Sequence, residues 1–170
     1  CRTIKEKGNP VTAMKKIKEK FKKIALHQEK KKPRIGIVGE IYIRSNRFSN
    51  HSLIHILENL GAEVYLTPTM EWLFYVNYLN QRRAWKKKKY SEFLSFWIKE
   101  KYQEYDVHRL EPCFRNFLHE GKEPQTKKIL NYASPYLHSS YEGEAILSIG
   151  KSIDLLKNEI SGIINVMPFT

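Results

Sequence analysis

The sequence predicts an α/β domain built on an open, mainly parallel sheet with flanking helices and a helical insertion. Three observations carry that reading. Residues 34–38 (RIGIV) form a short β-branched apolar run, the mark of a buried strand. A helix-period pattern at Leu53, Ile54, Leu57 and Leu60 follows, and then a second strand-like run at residues 62–67 (AEVYLT). A third run, residues 162–167 (GIINVM), comes after another helical pattern near the end of the chain. Strands separated by helices with short joints pair as parallel neighbours.

At 170 residues the chain can bury one good core, so a single domain is expected over residues 1–170. The start at Cys1 and the stop at MPFT, where a strand is delivering its loop, predict a piece of a longer protein. Residues 1–11 are polar and read as an irregular entry. Over residues 12–28, Met14, Ile17, Phe21, Ile24 and Ala25 share one helix face and lysines fill the other, with Thr12 as the expected cap. A charged linker, residues 29–33, leads into the first βαβ unit, residues 34–81, in which Gly61 is placed to end the helix.

Beyond Pro68 the chain is aromatic. Trp72, Val76 and Leu79 recur at helical spacing, and Glu71 sits in a first turn, where the helix dipole favours an acid. Residues 86–89 are a basic hinge. Residues 90–105 read as a long helix with Tyr90, Phe93, Leu94, Trp97 and Ile98 on one face, which is expected to be core rather than a stacking platform. A short pattern at Phe114, Phe117 and Leu118 follows, and another helix is expected over residues 125–137, disturbed by Pro135. Residues 82–138 are too long for a simple crossover and read as a helical insertion or cap. Residues 139–170 carry the last helix and strand, with a buried stripe at Ile146, Ile149, Ile153 and Leu156 and close packing at Gly150.

The net charge is +12, with lysine clusters at residues 15–23, 30–32 and 86–89. Solvated helix faces account for most of it, and nucleic acid is not the expected partner. No apolar run approaches the roughly 18 residues of a membrane span, and the lysine-rich start is no secretory signal, so the expected location is cytoplasmic, without membrane contact. Two cysteines, Cys1 and Cys113, cannot build a disulfide framework or a zinc site. Neither G-x-G-x-x-G nor G-x-x-x-x-G-K-[ST] occurs. His51 and His55 lie four apart on the expected helix and could face one ligand, yet no carboxylate stands between them as in H-E-x-x-H. His138, Ser139 and Ser140 are sequence neighbours, which does not make a triad.

The densest chemistry lies in the first strand–helix joint, where Glu40, Arg44, Ser45, Asn46, Arg47, Ser49 and Asn50 crowd together. In open α/β sheets ligands bind beyond the carboxyl ends of the strands, where this joint belongs. Glu71 and Glu142 are expected at the same edge, as holders of hydroxyl or cationic groups or as helix caps.

Four blocks, PRIGIVGEIYIRSNRFSN, LGAEVYLTPTMEW, SSYEGEAILSIGKSIDLL and GIINVMPFT, resemble one family: the 2-hydroxyglutaryl-CoA dehydratase D-component-like segments of CoA-substrate-specific enzyme activase-related proteins. They cover roughly half the chain and all of its expected strands; the helical middle lies outside them. The resemblance implies a Rossmann-like domain in an anaerobic iron–sulfur system that dehydrates a 2-hydroxyacyl-CoA, or performs a related reduction, with an electron driven by ATP. The fragment alone is then expected to be inactive. Its partners would be the remainder of the parent or an activase or dehydratase subunit, with an acyl-CoA as candidate ligand. A [4Fe–4S] cluster is expected in the full-length parent and none in this fragment, which holds too few thiols. The resemblance maps onto Glu40, Arg44, Asn46, Asn50, Glu71, Trp72, Glu142 and Gly143 as cleft or ligand-binding candidates, and assigns no catalytic residue. A basic α/β nucleic-acid module and a structural docking domain are the alternative readings.

Overall fold

The computed structural model describes residues 9–24, 31–114 and 124–168. In chain order the elements are α1 (Pro10–Phe21), β1 (Arg34–Gly39), α2 (Ile41–Ser45), α3 (Leu53–Asn59), β2 (Glu63–Leu66), α4 (Met70–Lys86), α5 (Tyr90–Leu110), a single 3-10 turn (Glu111–Cys113), α6 (Thr126–Ala133), α7 (Glu144–Lys157) and β3 (Gly162–Val166). The three strands form one parallel sheet in the order β2-β1-β3. The chain is thus α/β with a small open parallel sheet, as its alternating pattern predicts. It divides into two compact units, one of residues 29–76 and 124–170 and one of residues 1–28 and 77–123.

The sheet unit is organised by β1, whose pattern of intermediate then fully buried residues follows from having a neighbour on both sides. Val38 packs with Leu155 and Ile160, and Tyr65 and Ile163 close that cluster. Helix α6 packs on α7 through Ile129 and Ala133, both fully buried. Gly150 permits this: a Cβ there would lie 2.2 Å from the Ile129 carbonyl oxygen. The expected stripe on α7 is turned by part of a residue step. Ile146 is buried, but Leu156 is exposed, and Leu147, Ser148, Lys151, Asp154 and Leu155 face inward instead. Lys151 and Asp154 satisfy each other at 3.5 Å, which is how two charges come to occupy a face that apolar periodicity alone would not assign to them.

Local chemistry shifts several expected boundaries. Asn9, not Thr12, caps α1, its Oδ1 accepting from the Val11 amide at 3.0 Å. The expected continuation through residue 28 falls on 25–28, which lie outside the described residues, as do Cys1, Phe117, Leu118, Phe169 and Thr170. Helix α6 ends at Ala133: Ser134 keeps helical dihedrals, φ −54° and ψ −30°, but Pro135 has no amide with which to continue the ladder. Leu60 stands exposed beyond the end of α3 rather than on its buried side. His51 precedes α3 with φ +51°, and His55 pairs with Glu58 at 3.6 Å, so the two histidines do not share a helix face.

In the helical unit, Leu79, Ala84 and Cys113 are buried. Two side-chain bonds fix α5 to the last turns of α4: Asn77 Nδ2 donates to the Phe96 carbonyl at 3.1 Å, and Gln81 Nε2 to Glu100 Oε2 at 2.9 Å. These bonds select the face of α5 that carries Phe93, Phe96, Glu100, Gln103 and Val107. Tyr90, Leu94, Trp97 and Ile98, expected as core, are exposed. Alternate apolar faces on one helix compete for burial, and here polar anchors decide the outcome.

Candidate functional site

The site grows from the end of β1. Gly39 adopts φ +115°, a conformation reserved for glycine, and the Glu40 amide donates to the Val166 carbonyl at 2.9 Å. The carboxyl ends of β1 and β3 are thereby tied together. Because β2 lies on one side of β1 and β3 on the other, the chain's path reverses here, the place where open α/β sheets bind ligands.

The expected loop after β1 contains a short helix. Glu40 caps it, Oε2 accepting from the Ile43 amide at 2.6 Å. One turn later Arg44 points inward and is only 5 % exposed. Its Nη1 donates to Thr67 Oγ1 and its Nη2 to the Pro68 carbonyl at 3.5 Å, while Thr67 Oγ1 donates to the Ile37 carbonyl at 2.9 Å. Arg44 therefore fastens the segment leaving β2 to the segment leaving β1. Its Nε has no hydrogen-bond partner among the described residues.

Three glutamates surround this cation, each at a helix start: Glu40 before α2, Glu71 in the first turn of α4 and Glu144 in the first turn of α7. Glu144 Oε1 accepts from the Ile41 amide at 3.5 Å. Burial pushes the Arg44 guanidinium below its ordinary value, and Glu71, Glu144 and Glu40 push it back up. Burial raises the Glu144 carboxyl above the ordinary carboxylate range; the Ile41 amide and Arg44 oppose that rise and Glu40 adds to it. Arg44, Glu71, Trp72, Glu144, Ser148 and Lys151 line a small cleft with room for about one water molecule. Lys151, 2 % exposed, forms its inner end and lies 5.8 Å from the centre of the Tyr65 ring.

A raised carboxyl pKa has a readable consequence. Protonated Glu144 suits the fold better than the charged form, so its contribution to stability is full in acid and is lost as pH rises through the folded-state pKa. Glu144→Gln imitates the neutral acid and keeps an acceptor for Ile41. Its thermal midpoint is expected above that of wild type at neutral pH, and the two should merge as pH falls through the carboxylate range. Calorimetry at several pH values checks this.

The sequence candidates separate into two groups. Glu40, Arg44, Glu71 and Trp72 gather around the cleft edge, where Glu144, not among the sequence candidates, joins them. Asn46 and Asn50 shape the connection instead. Asn46 Oδ1 accepts from the amides of Phe48 and Ser49 at 3.0 and 3.1 Å, and Asn50 Nδ2 donates to the carbonyls of Ile43 and Arg44 at 2.9 and 3.0 Å. Glu142 is exposed, and Gly143, with φ +115°, donates its amide to Tyr75 Oη at 2.9 Å, setting the entry to α7. Lys151 and Ser148 escaped the sequence reading; the available cue was a lysine flanked at four-residue spacing by Leu147 and Leu155.

Among the described residues no group of three His, Cys, Asp or Glu could hold a metal ion, and Cys113 is a buried free thiol. These residues do not fit a cysteine-held cluster. No described helix is long and apolar enough to cross a membrane. No family model, curated protein or solved structure matches the chain.

Proposed function

We propose that this chain supplies the scaffold and one wall of the active-site cleft in a 2-hydroxyacyl-CoA dehydratase/activase-like system, through a Rossmann-like arrangement of its sheet. One observation carries the reading. Residues from three separated sequence blocks, Arg44, Glu71 and Trp72, and Glu144, line one small cleft at the carboxyl edge of the sheet, with Glu40 acting on Arg44 beside it. The fourth block delivers β3 to the same edge. Arg44 holds the edge together, and the glutamates set its charge and offer acceptors to a hydroxyl group. No step is assigned to an iron–sulfur cluster, whose ligands the described residues do not supply.

The test uses the protein that carries this chain, purified without oxygen. Iron and sulfide should be present, and Glu71→Gln should lower turnover of a 2-hydroxyacyl-CoA by about tenfold or more, the scale of a lost transition-state hydrogen bond. Its thermal midpoint should stay within a few degrees of wild type. Iron-free protein, or full turnover in the variant, would remove the reading.

The charge distribution favours one alternative. Residues 1–28 and 77–123 hold 20 Lys and Arg against nine Asp and Glu, which is +11 of the chain's +12. A basic helical unit of this kind suits a nucleic-acid module, whose binding would fall steeply between low and moderate salt.

A further inference from the structure

Helix α1 is amphipathic, yet the side that its pattern would bury stays in solvent. Ile17, Phe21 and Ile24, spaced four and three residues apart, are 41, 49 and 56 % exposed, and no residue of the helix is fully buried. The helix is held by its other end. It packs on α5 and the 3-10 turn, and Arg109 Nη2 donates to Asn9 Oδ1 at 3.4 Å. Its half-buried apolar residues, Val11, Ala13 and Met14, all lie in the first half. The second half, with Ile24 in the turn just beyond, therefore presents an apolar stripe that the unit does not use.

The charges around the stripe identify what covers it. Six lysines lie within residues 15–23 against one acid, Glu19. At about 100° per residue, Lys16, Lys20 and Lys23 fall along one flank of the stripe and Lys15, Lys18 and Lys22 along the other. Glu19 lies opposite the stripe and is engaged by Lys22 at 2.9 Å. An apolar centre between two cationic rims matches the boundary of an anionic bilayer, where acyl chains meet negatively charged headgroups. Lysine suits the rim, because its stem can lie on the apolar layer while its ammonium reaches a phosphate. A second copy of the chain would bring like charges together. A nucleic acid would neutralise the lysines but leave the stripe in water.

We propose that α1 is a peripheral anchor that lies in the surface of an anionic lipid bilayer, with Ile17, Phe21 and Ile24 inserted and the lysines among the headgroups. The helix axis runs parallel to the surface, and the apolar side chains reach about 5–10 Å into it. The net charge of +11 on residues 1–28 and 77–123 steers approach to a negative surface. With only three inserted side chains the contact is reversible, and its two parts act in turn: the field brings the helix in, and the stripe holds it there. Nothing in this contact depends on the cleft at the sheet edge.

Co-sedimentation of the whole chain with sucrose-loaded vesicles tests this. The expected result is binding to phosphatidylcholine vesicles containing about one-third phosphatidylserine, and none to phosphatidylcholine alone. Lys16→Gln/Lys20→Gln removes two exposed charges from one rim and should weaken binding about tenfold or more. Phe21→Ala should weaken it about fivefold, through lost apolar burial. Both variants should keep the far-ultraviolet circular dichroism of wild type in solution, since neither touches a buried residue. Lys87→Gln/Lys88→Gln removes the same charge from exposed positions elsewhere in the unit and should have a much smaller effect. A chain that stays in the supernatant with the anionic vesicles overturns the proposal, whether or not it binds a duplex oligonucleotide. So does binding indifferent to Phe21→Ala, or weakened as much by Lys87→Gln/Lys88→Gln, because bulk charge would then account for it.

Discussion

Gly39→Val is expected to unfold the sheet unit. Two independent penalties meet at this residue. Its φ of +115° lies where side chains rarely go, and a Cβ would sit 2.1 Å from the Val166 carbonyl oxygen. That oxygen belongs to a backbone already committed to the Gly39–Val166 register and to the Glu40 amide, so it cannot withdraw without opening the sheet at its functional edge. The combined cost should exceed about 4 kcal/mol, a large part of the stability of an ordinary domain. Gly61→Ala is the control: φ is +88°, but nothing lies within 4 Å of the added carbon. It should cost only about 1–2 kcal/mol, the price of left-handed backbone. Urea melts of the two variants separate conformational strain from steric collision, and equal midpoints would show that the β1–β3 junction yields more than its geometry implies.

Arg44→Met is expected to cost about 3 kcal/mol at neutral pH, because it removes a buried cation from among half-buried carboxylates and breaks its bonds to Thr67 and Pro68. Methionine matches the arginine stem, so little packing is lost. Without the cation, Glu144 loses a neighbour that holds its raised carboxyl down, and its folded-state pKa rises further. The sign follows: groups with raised folded-state pKa contribute full stability in acid and lose it as pH increases. The deficit of Arg44→Met should therefore be largest at neutral pH and shrink on acidification. Arg44→Lys should recover only part of it, since one ammonium cannot serve both Thr67 and Pro68 in the planar geometry of a guanidinium. Denaturation midpoints between pH 4 and 8 test the point, and a deficit independent of pH would mean that Arg44 acts through packing alone.

Much of the sheet unit was legible in the sequence because its strands are short apolar runs bounded by Gly39, Pro68 and Gly162, signals local to a few residues. Glu40, Arg44 and Glu71 were legible as a group because strand ends in a parallel sheet share one edge. The short helix α2 was hidden by the polarity of its surroundings, since its five residues offer too little periodicity to detect. The inward turn of Lys151 and Asp154 was hidden for another reason: burial of a charge pair is a tertiary bargain that no hydrophobic pattern records. On α5 both apolar faces were present in the sequence, and only the anchors at Asn77 and Gln81 reveal which is covered.

The pairing of β1 with β3 has a consequence for how the chain reaches its native state. The Arg34 amide donates to Ser161 Oγ across 127 residues of sequence, so the central strand cannot be completed until β3 has been made. On a ribosome, β1 would wait with one neighbour while the basic helices emerge. Closure entropy grows only logarithmically, so doubling the intervening length costs about 0.6 kcal/mol. Rate is more sensitive, because distant contacts must form before they reward the chain. The interval between β2 and β3 is therefore a stretch where length can change with little effect on final stability, while setting how long an apolar strand edge stays uncovered during synthesis.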